Sequence, residues 1–165
     1  MPLFLTRARG GAFTVYGSLT LSQGLTLQMS QGQGVYVTGE MATDVNAGAL
    51  SEYTLDDPPE EFVTFEGEQS TPGYWQGVRF SETTSEANVV SRTGIYHTGS
   101  APHPYLAETE PKRAAVAATG AAETTVEDCH IADYEGAAFA AAFTSNDLRE
   151  DSVNSTINTS GNVIE

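Results

Sequence analysis

Two short stretches of this chain are written in the same pattern, and that repetition constrains the fold more than any other feature. Val15-Tyr16-Gly17-Ser18-Leu19 and Val37-Thr38-Gly39-Glu40-Met41 both run apolar, polar, Gly, polar, apolar, with the two glycines 22 residues apart. Between them Leu25-Thr26-Leu27-Gln28-Met29 alternates apolar and polar. Period-two alternation puts successive side chains on opposite faces of a strand. Short strands repeated at this spacing, punctuated by Gly17, Gly24, Gly32 and Gly34, imply stacked solenoid coils in which each unit covers the next.

The remainder of the chain continues this pattern with interruptions. Residues 1–11 read as a lead-in, and residues 12–165 as one domain. Strand character returns at Phe62-Val63-Thr64-Phe65, at Tyr74-Trp75-Gln76-Gly77-Val78-Arg79-Phe80, and at Asn88 to Tyr96. Residues 44–61, with Pro58 and Pro59, and residues 97–113, with Pro102, Pro104 and Pro111, read as two protruding loops because proline cannot donate to a strand ladder. Ala114 to Thr119 and Thr125 to Ile131 follow. Val153 to Ile157 echoes the latter, aligning Asn154 with Asp128, Ser155 with Cys129 and Ile157 with Ile131, a 26-residue offset. The Ala-rich run Gly136 to Phe143 also satisfies helix propensity, so a short helix is expected there as an alternative. An antiparallel sandwich is the competing all-β fold.

Composition narrows the partners. The 165 residues hold 7 Lys and Arg against 22 Asp and Glu, a formal net charge of −15. A surface of that sign repels phosphate backbones and anionic lipid, so neither nucleic acid nor a membrane surface is an expected partner. A 39% hydrophobic content sets the chain apart from acidic disordered proteins. The acid excess and the single lysine, Lys112, match a halophile-like surface, in which carboxylates hold water and salt screens their repulsion. Cys129 is the only cysteine, which excludes an intrachain disulfide. No apolar run approaches the roughly 18 residues of a membrane span, and Met1 to Arg9 lacks the order of a secretory signal.

Gly17-Ser18-Leu19-Thr20-Leu21 with Gly24-Leu25-Thr26-Leu27, then Tyr74 to Phe80, then Val126 to Ile131 followed by Gly136-Ala137-Ala138-Phe139 carry a resemblance. Over about residues 13 to 163 the chain resembles the right-handed parallel β-helix proteins of pectate-lyase-type architecture. More narrowly, it is similar to β-helix repeat proteins of bacterial and archaeal envelopes. The resemblance implies an all-β, right-handed parallel β-helix with rungs of about 22–26 residues, an extracellular or envelope location, and a scaffold or a carbohydrate- or partner-binding role.

Candidate chemistry is sparse. If Tyr74 to Phe80 is one uninterrupted strand with Val78 and Phe80 inward, Trp75 and Arg79 face out as a sugar-stacking platform or a cation–π pair. If Gly77 makes a bulge, Trp75 is instead buried in the core or at a corner. Asp56, Asp57, Glu60 and Glu61 would chelate calcium or supply an acid and base for glycan cleavage; two prolines divide them and no calcium-loop spacing is present. Asp128-Cys129-His130 places Cys129 and His130 on opposite faces, so the cysteine is expected inward and not as a nucleophile. His97 and His103 lack zinc-ligand spacing. No phosphate-cradling motif is present. The expected function is therefore a non-enzymatic module with no cofactor, and the alternative is a polysaccharide lyase or glycoside hydrolase using the loop carboxylates with calcium. A solenoid also exposes backbone at its ends, so the strand-like stretch up to Glu165 implies either a longer natural polypeptide or end-to-end self-association.

Overall fold

A computed structural model of the chain describes residues 11–45, 59–103, 113–141, 143–144, 153–154 and 156–165. Among the described residues all regular structure is β. The first coil consists of β1 (Phe13–Val15), β2 (Ser18–Ser22) and β3 (Thr26–Met29), and the second of β4 (Val35–Val37), β5 (Glu40–Asp44) and β6 (Val63–Gly67). The third holds β7 (Val78–Ser81), β8 (Val89–Ser91) and β9 (Thr93–Tyr96), and the fourth β10 (Ala114–Thr119), β11 (Glu123–Glu127) and β12 (His130–Ala132). The last comprises β13 (Ala137–Ala141), an antiparallel pair β14 (Phe143–Thr144) and β15 (Val153–Asn154), then β16 (Thr156–Ser160) and β17 (Val163–Ile164). Corresponding strands stack into three parallel five-stranded sheets. Sheet A runs β1-β4-β7-β10-β13, sheet B β2-β5-β8-β11-β16, and sheet C β3-β6-β9-β12-β17. The result is a three-sided solenoid.

The inward rows explain why these strands stack. On sheet C, Leu27, Phe65, Ile95, Ile131 and Ile164 lie in register, one per coil. On sheet A, Phe13, Val35, Val78, Val116 and Phe139 do the same. Parallel sheets need covered faces, and here the three inner faces cover each other in one core.

The 22-residue echo is a true coil repeat, since Ser18 to Ser22 pairs residue for residue with Glu40 to Asp44. The 26-residue echo is not. Ile131 stacks on Ile164, whereas Ile157 stacks on Thr124. The asparagine that actually follows Cys129 down the stack is Asn162, whose Oδ1 accepts from the Cys129 amide at 2.9 Å. The Ala-rich run folds as β13 rather than helix, because Ala137 to Ala141 finds a waiting partner in β10. Tertiary pairing overrides the local preference of alanine.

The corners make room for insertions of unequal length. The predicted loop 44–61 departs at the corner between sheets B and C; residues 46–58 lie outside the described residues. The predicted loop 97–113 leaves between sheets C and A, but its start is not a protrusion. Thr98 bridges to Trp75, and His97, Thr98 and His103 are buried. Residues 104–112 lie outside the described residues.

At the corner from B to C, Arg92, Asp128 and Gly161 take up the left-handed conformation in successive coils (φ 47°, 51° and 64°). The Arg92 guanidinium reaches the Asp128 carboxylate at 3.4 Å. Buried Asn88 ties three coils together at the corner from A to B. Its Oδ1 accepts from Met41 N at 3.1 Å, and its Nδ2 donates to Thr83 Oγ1 at 3.0 Å and to Glu123 O at 3.2 Å. A buried amide satisfied this fully stabilises, whereas the same group left unpaired costs about 1–3 kcal/mol.

The two echoing glycines are not equivalent. A Cβ on Gly39 would collide with the backbone carbonyls of Gly17 and Tyr16 in the coil before it, while one on Gly17 would meet none of the described residues within 4 Å. Gly39→Ala is therefore expected to lower stability by roughly 1–3 kcal/mol, read as a drop in thermal midpoint. Gly17→Ala in dilute, low-salt solution should leave the midpoint unchanged.

Candidate functional site

Gly77 decides where the Tyr74 to Phe80 segment points. Its φ of 106° breaks the strand, and β7 begins only at Val78. Trp75 consequently turns into the core with no exposed surface. Its ring stacks on Phe65 at 6.3 Å between centroids, and its Nε1 donates to Tyr96 O at 2.6 Å. The exposed indole needed for a sugar platform is not there, so Trp75 is a core residue that pins the corner between sheets C and A.

Arg79 does face outward, and its aromatic partner is Tyr36 instead. Thr14, Tyr36, Arg79, Ala117 and Ala140 form one register row on sheet A. The guanidinium carbon sits 4.0 Å over the Tyr36 ring, a cation–π contact of the kind that gains strength when shielded from water. The ring is held from its far end, where the Tyr36 hydroxyl donates to Gln76 Oε1 and Gln76 Nε2 donates to Gly32 O at 3.0 Å. Arg79 Nε and Nη1 are buried with no hydrogen-bond partner among the described residues. Among the described residues Arg92 and Arg113 are paired with carboxylates, and Arg79 is not. Farther along the outer side of sheet A, Ala114, Ala117 and Ala140 make a small separate apolar cluster.

His103 completes this side. Its Nε2 bonds Ala114 O at 3.2 Å, so that nitrogen carries the proton, and Nδ1 has no partner among the described residues. Burial pushes the imidazole down to about 4, the bond to Ala114 opposes the shift, and the positive field of Arg79 reinforces it.

Sheet C presents a second polar row that sequence reasoning missed. The Tyr96 ring folds over Gly94, where a side chain would block it. Its hydroxyl lies 3.0 Å from His130 Nδ1, and His130 Nε2 lies 3.6 Å from Glu165 Oε2. His97 accepts from Gly67 N through Nδ1 and faces Asp133 across 3.9 Å. The available signal was the period-two placement of Tyr96 and His130 on outward positions, but only the register of β9 on β12 reveals that they meet.

The other candidates separate. Cys129 is buried and its thiol is pushed up to about 12, first by burial, which leaves it inert as a nucleophile. His97 and His103 sit against different partners. Glu60 and Glu61 lie at the corner between sheets B and C, opposite sheet A in the three-sided section; Glu60 is exposed, and the Glu61 carbonyl accepts from Gly24 N. Asp56 and Asp57 lie outside the described residues. The described carboxylates of that loop are thus not brought to Arg79 or Trp75. Among the described residues no group of three or more His, Cys, Asp or Glu side chains is arranged to hold a metal ion.

No helix among the described residues is long and apolar enough to cross a membrane. Comparison with protein-family models, curated proteins and solved structures gives no match.

The depressed His103 value carries a pH prediction. The unfolded chain takes up a proton near 6.5, which the folded chain refuses until about 4. Stability is therefore full above pH 6.5 and falls as the pH drops through that window, by up to about 3 kcal/mol. Denaturant titrations at pH 7 and pH 4.5 should show the loss, and His103→Gln should flatten it.

Proposed function

We propose that this chain is a non-enzymatic module of right-handed, pectate-lyase-like parallel β-helix architecture that works as a scaffold outside the cell or at its envelope. Its outer side of sheet A offers a binding surface for an acidic carbohydrate or another carboxylate-bearing partner. The right hand is favoured because parallel crossover connections adopt it almost without exception. The halophile-like acid excess belongs to the same reading, since such a surface stays hydrated in salt.

One observation carries the binding role. In a chain with 22 carboxylate side chains and 7 basic ones, Arg79 is held on a buttressed tyrosine with no carboxylate partner among the described residues. An acid-rich chain has no shortage of partners to offer, so a guanidinium that pairs with none of the described carboxylates is read as reserved for an external anion. Guanidinium geometry matches a carboxylate, and tyrosine offers an apolar ring edge to a sugar. The floor is rigid because β7 is paired on both sides, by β4 and β10.

Titration against uronic-acid oligosaccharides and their neutral counterparts tests this reading. The wild-type chain should prefer the uronates, and Arg79→Ala should weaken binding about tenfold to a hundredfold, the range for a charged hydrogen bond. Trp75→Phe, which changes only the core, should bind as wild type. Unchanged affinity in Arg79→Ala removes the proposal, and glycan cleavage in the presence of calcium would replace it with the lyase or hydrolase reading.

A further inference from the structure

We infer that Asn158 is a modification site, the acceptor for an N-linked oligosaccharide delivered from a polyprenyl diphosphate carrier. The inference rests on the proposed location outside the cell or at its envelope, where exported chains meet transferases that use such carriers. Asn158-Thr159-Ser160 is an Asn-x-Ser tripeptide with no proline in the middle, the pattern of an N-glycan acceptor. Such tripeptides also arise by chance, so the structural setting of this one carries the argument.

The six asparagines of the chain differ in what they hold. Asn88 and Asn162 tie coils together at corners. Asn88 bonds Met41, Thr83 and Glu123, and Asn162 bonds the Cys129 amide and the Val126 carbonyl, each at 2.9 Å. Two residues further on stand Val90 and Ile164, so neither has the hydroxyl that an acceptor requires. Asn46 and Asn146 are followed at that position by Gly48 and Leu148 and lack it as well. Asn158 is the reverse case. Its side chain is exposed, and its Nδ2 reaches Glu123 Oε1 at 3.4 Å, beyond the roughly 3.2 Å of an ordinary N–H···O bond. Substituting that nitrogen costs the fold little. Asn154-Ser155-Thr156 also matches the tripeptide, but Ser155 lies outside the described residues.

Strand geometry presents the two groups together. In β16, Ile157 and Thr159 are in register with buried Thr124 and Val126, which assigns Asn158 and Ser160 to the outer face of sheet B. The acceptor amide and the hydroxyl therefore share one exposed face, roughly 7 Å apart along the strand. A glycan on Asn158 leaves the core for solvent beside Thr125 of the neighbouring coil. Arg79 stands on sheet A, a different side of the solenoid, and stays uncovered.

Transfer precedes the docking of β16, because the strand is afterwards held in its ladder with β11. Asn158 Nδ2 attacks C1 of the carrier's first sugar. The N–C1 bond forms as the C1–O bond to the diphosphate breaks, and polyprenyl diphosphate leaves with the electron pair. The amide nitrogen gives up one proton to a base of the transferase. The modified strand then docks with its sugar outside, since nothing inward of Asn158 has changed.

Cell-free synthesis of the full chain beside a solubilised oligosaccharyltransferase and a polyprenyl-diphosphate oligosaccharide is the test, read by intact mass and peptide mapping. The chain should gain an oligosaccharide at Asn158. Asn158→Gln and Ser160→Ala should each lose it, whereas Ser160→Thr and Asn154→Gln should retain it. Circular dichroism and the thermal midpoint of the modified chain should match those of the unmodified one. Transfer in vitro needs neither a cellular location nor the Arg79 face, so a chain that fails the uronate titration is still modified, and the two readings fail separately. An unmodified Asn158 in a reaction that glycosylates a control Asn-x-Thr peptide overturns the proposal. So does a modified chain that no longer folds.

Discussion

The parallel hydrogen-bond ladder between coils is the interaction on which the rest of the structure depends. A single coil of three short strands buries little, and its strands form no ladder with one another. The backbone groups of its strands find ladder partners in the coil before and the coil after, and its inward side chains stack in rows that run from coil to coil. The row Leu27, Phe65, Ile95, Ile131 and Ile164 shows the consequence. Each residue is apolar because the one stacked on it is, not because its own sequence neighbours are. Trp75 belongs to the same logic, filling the corner over Phe65 where the third coil begins.

Corners supply what the ladders cannot. Left-handed residues at Arg92, Asp128 and Gly161 turn the chain from sheet B to sheet C at equivalent points, and Asn88 and Asn162 replace missing backbone partners with side-chain amides. A corner can also lengthen without disturbing the strands, because the entropy of a loop grows only slowly with its length. That is why Ala42 still stacks on Val89 and Phe65 on Ile95 although the intervening segments differ in length from coil to coil. The side chains that give one face its chemistry are carried on a wall that tolerates such changes.

The three outer faces are not alike. Sheet B carries Ser, Thr, Asn and carboxylates, with hydrogen bonds from Ser18 and Ser85 holding Glu40 below the usual carboxylate range. Sheet C gathers Tyr96, His130, His97 and Asp133. Sheet A has the Arg79 and Tyr36 pair next to a small alanine cluster. A positive group on an aromatic ring is the exception in a strongly acidic molecule, and this asymmetry is what makes sheet A the face where recognition is proposed.

What the chain alone determined is the part governed by local pattern. Alternation around Leu19, Leu27 and Met41 specified short strands, the Gly17 and Gly39 echo specified the coil length, and Asp128-Cys129-His130 specified an inward thiol, since strand geometry sends neighbours to opposite faces. What only the tertiary structure decided is everything that depends on register between coils. Ile131 was matched to Ile157 by pattern, but the interrupted last coil puts Ile164 there. Ala137 to Ala141 became strand because β10 was waiting beside it. Trp75 went inward because one glycine, Gly77, with φ of 106°, shifted the phase of the strand. Arg79 found Tyr36, and Tyr96 found His130, across sequence separations that insertions had changed. A pattern records which face a residue takes within its own strand; which residue it meets is set by the coil stacked against it.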